Sequence, residues 1–207
     1  NWCVKVSALA LAGVMSLSVL PAQAAEYADL GQDHWAYEEM TRAVELGILQ
    51  GVGNNQLATA LTMSWGQFLA LVTRTFASED YQSALDQGAA WDEAGYLAAA
   101  SAGILREEDA LSVSPEQLGE SITREDAAVL QEIQKKYAHP ENEALFTDFD
   151  QMDEVHQAAV SALADTQVST GKPDGSFGRT DPIKRCDGTV LLMRTLNVVD
   201  RARTGET

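Results

Sequence analysis

Apolar positions with helical spacing recur along the chain and predict α-helices. Ala36, Met40, Ala43 and Val44 have offsets 0, 4, 7 and 8, which place four apolar side chains on one side of a helix. The same offsets recur in whole or in part at His156, Val160, Leu163 and Ala164, and at Tyr96, Ala99 and Ala100. Gly47 and Gly103 follow the first two of these helices and are suited to the left-handed residue that ends a helix. Gln167 takes this position in the third copy, so we expect a less regular helix end there.

A second apolar helix face follows each of these helices. Its members in the three copies are Phe68, Leu71, Val72 and Phe76; Ala127, Leu130, Ile133 and Tyr137; and Gly188, Leu191, Leu192 and Leu196. Ser64 with Gln67 is typical of a capping box, and Thr123 precedes two acidic residues as an N-cap does. Each copy is therefore predicted to be helix, loop, helix. One copy cannot bury its own apolar faces, so we expect three copies to share a core.

The start of the chain is typical of a secretory signal peptide. Residues 6–20 are uncharged and mostly apolar, and the small-residue pattern Ala22-Gln23-Ala24 follows them. We predict that residues 1–24 are removed at this cleavage site. A transmembrane anchor is the alternative, but the run is shorter than the roughly 20 residues that span a bilayer. Removal would leave Cys186 as the only cysteine, which excludes an intramolecular disulfide framework.

The charge of the chain is strongly negative and unevenly placed. The chain has 31 acidic and 14 basic side chains and a net charge of −17. Nucleic-acid binding requires clustered Lys and Arg, so we expect no nucleic-acid partner. Residues 25–166 carry −20, whereas residues 167–207 carry +2. An anionic ligand would meet least repulsion in the last copy, whose four clustered cations are Lys172, Arg179, Lys184 and Arg185.

Short motifs within this frame resemble those of the S-layer homology (SLH) domain. The first copy carries Asp33-His34-Trp35-Ala36, the second carries Ile122-Thr123-Arg124-Glu125, and the third carries Pro173-Asp174-Gly175-Ser176-Phe177. The resemblance implies three tandem SLH motifs at residues 25–80, 86–138 and 144–200, with a tail at 201–207. It implies one all-α domain over residues 25–200, with a pseudo-threefold arrangement around a central helix bundle.

The resemblance also implies a function, which is non-covalent anchoring to the bacterial cell wall. Grooves between SLH motifs bind an anionic secondary cell-wall polymer linked to peptidoglycan, which often carries a pyruvate ketal. The protein would be secreted to the cell wall or S-layer, without membrane insertion after signal cleavage. The family places an Arg at a helix start in each groove, and Arg124 and Arg185 match it. The predicted glycan-binding set is completed by Lys184, Thr123, Asp174, Gly175 and Trp65.

Trp65 occupies the position of the groove Arg in the first copy. We expect the charged contact to be lost in that groove, although an indole also stacks on sugar rings or packs in a core. The chemistry of the other two positions is reasonable, because a helix start offers unpaired N–H groups and a positive dipole end. An Arg there adds a planar donor fork that suits a carboxylate.

Other residue patterns do not indicate catalysis, a metal or a cofactor. Asp148, Asp150 and Asp153 lack the Gly and distal Glu of an EF-hand loop, so an acid-rich helix start is favoured. We interpret Trp35 and Trp91 as packing anchors, since an indole buries much apolar area. We therefore expect a binding module and not an enzyme. Two alternatives stay open: the wall-targeting part of a larger secreted hydrolase or S-layer protein, and a structural SLH fold that has lost polymer binding.

Overall fold

A computed structural model describes residues 27–106, 111, 113–130 and 146–205. The predicted signal peptide at residues 1–24 lies outside these ranges, as do Ile133 and Tyr137 of the predicted helix faces. The described residues form α-helices and no strands, which confirms the all-α fold class. The helices are α1 (Tyr37–Glu45), α2 (Trp65–Phe76), α3 (Ser78–Asp86), α4 (Trp91–Ser101), α5 (Arg124–Val129), α6 (Glu154–Asp165) and α7 (Arg185–Thr204).

The predicted apolar faces point into a shared core. Met40 of α1, Phe68 of α2 and Leu163 of α6 have no exposed surface. They belong to one apolar cluster that also includes Leu192 of α7 and Leu130, which follows α5. The periodicity therefore identified both the helices and the sides that they bury.

The helices of successive repeats pack against one another in a fixed order. The second helix of each predicted repeat contacts the first helix of the next, as α2 does with α4 and α5 does with α6. The last helix, α7, contacts α1 in the same way, and Arg194 Nε lies 3.1 Å from Glu39 Oε1 across this pair. The order of contacts therefore closes on itself, while a pseudo-threefold symmetry of the whole domain stays a prediction.

Helix α3 lies between the first two predicted motifs and was missed by the sequence analysis. It packs against α2 and α4 through a small second apolar cluster, formed by Tyr81, Ala84, Ala70, Ala94 and Ala98. Most of these side chains are alanines, which give a weak periodic signal. The close approach of α4 to α2 depends on Gly95, because a Cβ there would lie 2.7 Å from Ala70 N.

Three buried residues join the three predicted repeats through a closed cycle of backbone hydrogen bonds. Met63 N–H donates to Ile183 O at 2.8 Å, Ile183 N–H to Ile122 O at 3.0 Å, and Ile122 N–H to Met63 O at 3.1 Å. Each side chain has no exposed surface. Met63, Ile122 and Ile183 lie directly before the N-caps of α2, α5 and α7, respectively. This three-residue ring therefore fixes where those helices begin.

The helix starts at the ring differ in their side-chain caps. The predicted capping box is confirmed, with Gln67 N–H donating to Ser64 Oγ and Ser64 N–H to Gln67 Oε1. The predicted N-cap of α5 is confirmed too, since Thr123 Oγ1 accepts from Asp126 N–H at 3.2 Å. Lys184 occupies the N-cap of α7 and makes no side-chain cap.

The first helix of each predicted repeat ends at a residue with positive φ. Gly47 has φ +71° and Gly103 has φ +68°, as predicted. Ile48 and Ile104 then fold back, each N–H donating to a carbonyl of the last helical turn at 2.9 Å. Gln167 adopts the same left-handed conformation with φ +59°. The helix of the third copy therefore ends in the same way, but its Gln167 has a Cβ that is strained at positive φ.

We expect Gln167→Gly to stabilise the protein by about 1 kcal/mol, because glycine removes the cost of a side chain at positive φ. The reciprocal change Gly47→Gln is the matched control and should destabilise by a similar amount, since no atom within 4 Å would obstruct a Cβ there. Urea unfolding of both variants measures the two effects. A loss of stability in Gln167→Gly would contradict the assignment of strain.

A buried histidine joins α5 to α6. His156 is 8% exposed, with Nδ1 2.8 Å from Asp153 Oδ1 and Nε2 3.2 Å from Asp126 Oδ1. Because both ring nitrogens face carboxylates, the imidazole is best satisfied when doubly protonated. Burial opposes the charge, but the hydrogen bonds to Asp126 and Asp153, assisted by the charges of Asp153 and Glu125, outweigh it and raise the pKa of His156 to about 9.

The pKa of His156 predicts a loss of stability at alkaline pH. The folded-state pKa lies above the ordinary value of 6.5, so the folded protein retains a proton that the unfolded chain releases. The contribution, at most about 3 kcal/mol, is complete below pH 6.5 and is lost as the pH rises through about 9. Urea unfolding between pH 6 and 10 measures it. His156→Gln should flatten this part of the profile, and an equal decline in both proteins would contradict the prediction.

Candidate functional site

Two aspartates organise the loops of the first and third repeats. Asp29 accepts hydrogen bonds from Leu57 N–H at 2.8 Å and from Thr59 N–H at 3.1 Å. Asp148 accepts from three successive amides at 2.8–3.0 Å: those of Phe177, Gly178 and Arg179. Burial alone would raise the pKa of each carboxyl, but the backbone donors outweigh it and lower both pKa values. The two carboxylates hold the loops in shape, which gives Asp148 a role without a calcium ion.

Each of these loops receives an arginine from another repeat. Arg185, the first residue of α7, donates from Nε to Leu57 O at 2.7 Å and from Nη2 to Gln50 O at 3.0 Å. It is 6% exposed, and burial lowers its pKa while the charge of Asp29 acts in the opposite direction. Arg124, the first residue of α5, donates from Nε to Phe177 O at 2.9 Å, and its guanidinium carbon lies 5.0 Å from the Phe177 ring centroid. Both arginines therefore lock one repeat onto the next.

Arg185 also lines a cavity of about 210 Å³ between the repeats. Its wall includes Gln67 and Arg74 of α2, Gln50 and Val52 of the loop between α1 and α2, and Trp91 at the start of α4. We call this the Arg74–Arg185 cavity. It gathers two guanidinium groups, two side-chain amides and an indole from three predicted repeats. Trp91 is 48% exposed and Val52 is 54% exposed, so an apolar surface borders the cations.

Arg74 is held in the cavity wall by Tyr81 of α3. Its Nη2 donates to Tyr81 Oη at 2.8 Å, and its Nη1 donates to Ile48 O at 3.4 Å. The Arg74 guanidinium carbon also lies 4.9 Å from the Tyr81 ring centroid. Tyr81 Oη in turn donates to Trp91 O at 3.2 Å. One hydroxyl thus connects the backbone that carries the indole with one of the two cations.

The other predicted glycan-binding residues lie outside the lining of this cavity. Lys184 is exposed, and Thr123 bonds to Asp126 at the start of α5. Asp174 accepts from Ser176 N–H at 2.9 Å and Ser176 Oγ at 2.7 Å, which lowers the Asp174 pKa. Gly175 has φ +85° in the same turn. Asp174 and Gly175 therefore shape the turn of the third repeat.

Trp65 lies half-buried against the main apolar cluster at the start of α2. Its burial agrees with the interpretation that Trp65 packs in the core, and not with the alternative that it stacks on a sugar ring. Gln50, Val52, Gln67 and Arg74 were missed as cavity residues. One signal pointed to Arg74, which is the only basic residue between positions 43 and 105.

The expectation of unpaired amides at the helix starts is wrong. In α2, α5 and α7, the first two N–H groups donate to carbonyls of another predicted repeat. In α2, Trp65 donates to Glu120 O and Gly66 to Leu118 O; in α5, Arg124 donates to Asp181 O and Glu125 to Arg179 O. In α7, Arg185 donates to Leu61 O and Cys186 to Thr59 O. The distances are 2.8–3.1 Å. The loops beside the three-residue ring satisfy these donors before any ligand arrives. A guanidinium group has five N–H donors, so Arg124 and Arg185 keep further donors beyond those given to loop carbonyls.

The predicted basic cluster of the third repeat is largely neutralised by acidic neighbours. Lys172 Nζ lies 2.5 Å from Asp181 Oδ2, and Arg179 Nη1 lies 2.9 Å from Glu125 Oε1. The interpretation of Trp35 and Trp91 as packing anchors is wrong, because they are 57% and 48% exposed. A Trp before or at a helix start has the same sequence signature whether it packs inward or lines a surface.

Across residues 27–106, 111, 113–130 and 146–205, no group of three His, Cys, Asp or Glu side chains is arranged to hold a metal ion. Within the same ranges, none of the helices combines the length and the apolar character needed to cross a membrane.

Comparison with known families identifies part of the chain. The family model of the S-layer homology domain matches residues 26–69 and 145–185. These two segments are therefore similar to SLH domains and form a tandem repeat, in agreement with the first and third predicted motifs. The match does not extend to the second predicted motif at 86–138, which stays a prediction. No match was found among curated proteins. SLH domains generally anchor proteins at the cell surface or wall, which indicates a cell-surface or S-layer-associated protein.

The burial of Arg185 predicts that it supports the fold as well as any ligand. Arg185→Ala should cost about 3 kcal/mol, because it leaves Leu57 O and Gln50 O without their charged donor. Arg124→Ala should cost about 1 kcal/mol, since Arg124 is half-buried and makes one such bond. Urea unfolding of the two variants side by side measures the difference. Equal losses would contradict the structural role given to Arg185.

Proposed function

We propose that this chain attaches non-covalently to the bacterial cell wall by binding an anionic wall polysaccharide in the Arg74–Arg185 cavity. The observation that carries the proposal is the meeting of Arg74, Arg185 and Trp91 around one space of about 210 Å³. The two SLH domains support a cell-wall location, and the cavity chemistry supports the class of ligand. In this proposal the chain is secreted after loss of residues 1–24, and it binds without catalysing a reaction.

The two guanidinium groups favour an anionic group on the ligand. Arginine offers a planar fork of donors that matches a carboxylate or phosphate. Arg185 uses Nε and Nη2 on backbone carbonyls, which fixes the plane of its guanidinium group. A ligand anion would therefore meet a cation that is already ordered and loses little conformational freedom on binding.

The neutral groups of the cavity favour a sugar as the carrier of that anion. Gln50 and Gln67 bring side-chain amides that both donate and accept hydrogen bonds, as ring hydroxyls require. The half-exposed indole of Trp91 offers an apolar face beside them. The volume is below the roughly 300 Å³ of the smallest typical drug-sized pockets. It suits one sugar unit with its anionic substituent, and not a longer stretch of chain.

The net charge of −17 is compatible with an anionic ligand. Exposed charges are screened beyond about 10 Å at 0.1 M salt, whereas a partly enclosed contact is screened much less. The acidic surface then discourages non-specific attachment to polyanions, and the two enclosed cations decide binding. Arg124 marks a second candidate groove, in which its guanidinium stacks on Phe177. The Trp65 groove lacks the corresponding charge.

The polymer requirement is tested with two wall preparations. Purified protein lacking residues 1–24 should sediment with native cell walls and remain in solution with walls stripped of secondary polymer. Added salt should weaken binding to native walls, because the contact is between opposite charges. Equal binding to both preparations would contradict the proposal, and no binding to either would favour the alternative of a structural SLH fold.

The cavity assignment is tested with matched variants. We expect Trp91→Ala to lower the affinity for native walls about tenfold, since stacking on an aromatic ring contributes on the order of 1 kcal/mol. Trp35→Ala is the control, because Trp35 is similarly exposed and lies outside the cavity lining.

Arg74→Gln should lower the affinity for native walls at least tenfold. Arg201→Gln is its control, because it removes an equal charge from an exposed position at the end of α7.

Isothermal titration with solubilised wall polymer gives the affinities of all four variants. The cavity assignment fails if Trp35→Ala and Trp91→Ala lose equal affinity, or if Arg201→Gln is as damaging as Arg74→Gln. A thermal unfolding curve for each variant separates lost binding from lost folding.

A further inference from the structure

The side of the cavity that carries Arg74 and Trp91 rests on Tyr81. This tyrosine lies on α3, between the two segments that match the SLH family model, at residues 26–69 and 145–185. It is 5% exposed, so its hydroxyl group must find partners inside the protein. It has two partners, Arg74 Nη2 at 2.8 Å and Trp91 O at 3.2 Å.

The hydroxyl of Tyr81 acts both as a hydrogen-bond acceptor and as a hydrogen-bond donor. It accepts a hydrogen bond from the Arg74 guanidinium and donates one to the Trp91 carbonyl, and a phenol has one proton to donate. The ring below the guanidinium adds a cation–π contact at 4.9 Å. These contacts hold a long, flexible side chain in one orientation and tie it to the residue that supplies the indole.

The position of Tyr81 is itself fixed by packing. Ala70 of α2, Ala84 of α3, and Ala94 and Ala98 of α4 surround it in the small apolar cluster. Helix α3 is therefore clamped between the two helices that carry Arg74 and Trp91. Any shift of α3 would move the hydroxyl relative to both partners.

We propose that Tyr81 is a positioning residue of the Arg74–Arg185 cavity, which orders Arg74 and sets its distance from Trp91 before the anionic glycan binds. This inference rests on the proposed function of the cavity. It gives α3 a part in ligand affinity, although the helix lies outside both matched SLH segments. Arg74 then binds with little loss of side-chain freedom, whereas an unrestrained Arg loses that freedom on binding.

The test is a double-mutant cycle on the affinity for solubilised wall polymer. Tyr81→Phe keeps the ring and removes the hydroxyl, and we expect it to weaken binding about fivefold to tenfold. Arg74→Gln should weaken binding as well, and adding Tyr81→Phe to Arg74→Gln should cost no further affinity, because Tyr81 acts through Arg74. Tyr96→Phe on α4 is the control for the loss of a phenol from a half-buried site and should bind like the unaltered protein.

A second measurement needs no ligand. Nitrogen-15 NMR of the arginine side chains separates the two Nη groups of Arg74 only while rotation of its guanidinium group is hindered. The two signals should be distinct in the unaltered protein and averaged in Tyr81→Phe. Unchanged affinity in Tyr81→Phe while Arg74→Gln does weaken binding, losses that multiply across the cycle, or averaged Arg74 signals in the unaltered protein would each overturn the inference. If the cavity variants bind normally while the NMR signals behave as expected, the proposed function fails and the positioning of Arg74 stands.

Discussion

A cycle of three backbone hydrogen bonds among Met63, Ile122 and Ile183 holds three helix starts next to one another. Each residue gives one N–H and one carbonyl to the cycle, so none of the three bonds can be replaced by a contact within a single repeat. Because the residues are fully buried, water offers no substitute partner, and an unmade bond there costs on the order of 1–3 kcal/mol. The ring thus makes the three helix starts interdependent.

The ring has a direct effect on the chemistry at the helix starts. It brings the loop of one repeat against the helix of another, so that carbonyls such as Glu120 O and Leu61 O take the first helical amides. The side chains at these positions, Arg124 and Arg185, are then turned toward loop carbonyls and inter-repeat space. In the proposed function, an anion would therefore meet guanidinium groups, which stay charged at any physiological pH. The same closeness brings Arg74 and Trp91, from two different repeats, to one cavity.

The features that could be predicted from the sequence are local ones. The buried faces of α1, α2 and α6 follow from spacing alone, and the Ser64–Gln67 box and the Gly47 helix end each depend on residues within a few positions. The features that could not be predicted depend on distant partners. The burial of Arg185 is decided by Leu57 O and Gln50 O, 128 and 135 residues earlier. Helix α3 was missed because its alanine-rich contacts carry little periodicity.

The bonds from Arg185 to the loop of the first repeat also have a temporal consequence. A chain that emerges from its N-terminus, from a ribosome or through a membrane pore, exposes Leu57 and Gln50 long before Arg185 is available to them. Closing a loop over such a separation is entropically costly, so we expect the bonds from Arg185 to form late in folding. The first repeat therefore cannot reach its final form until the last helix has appeared. A chain of this design completes the fold of its first repeat only after almost all of its residues are available.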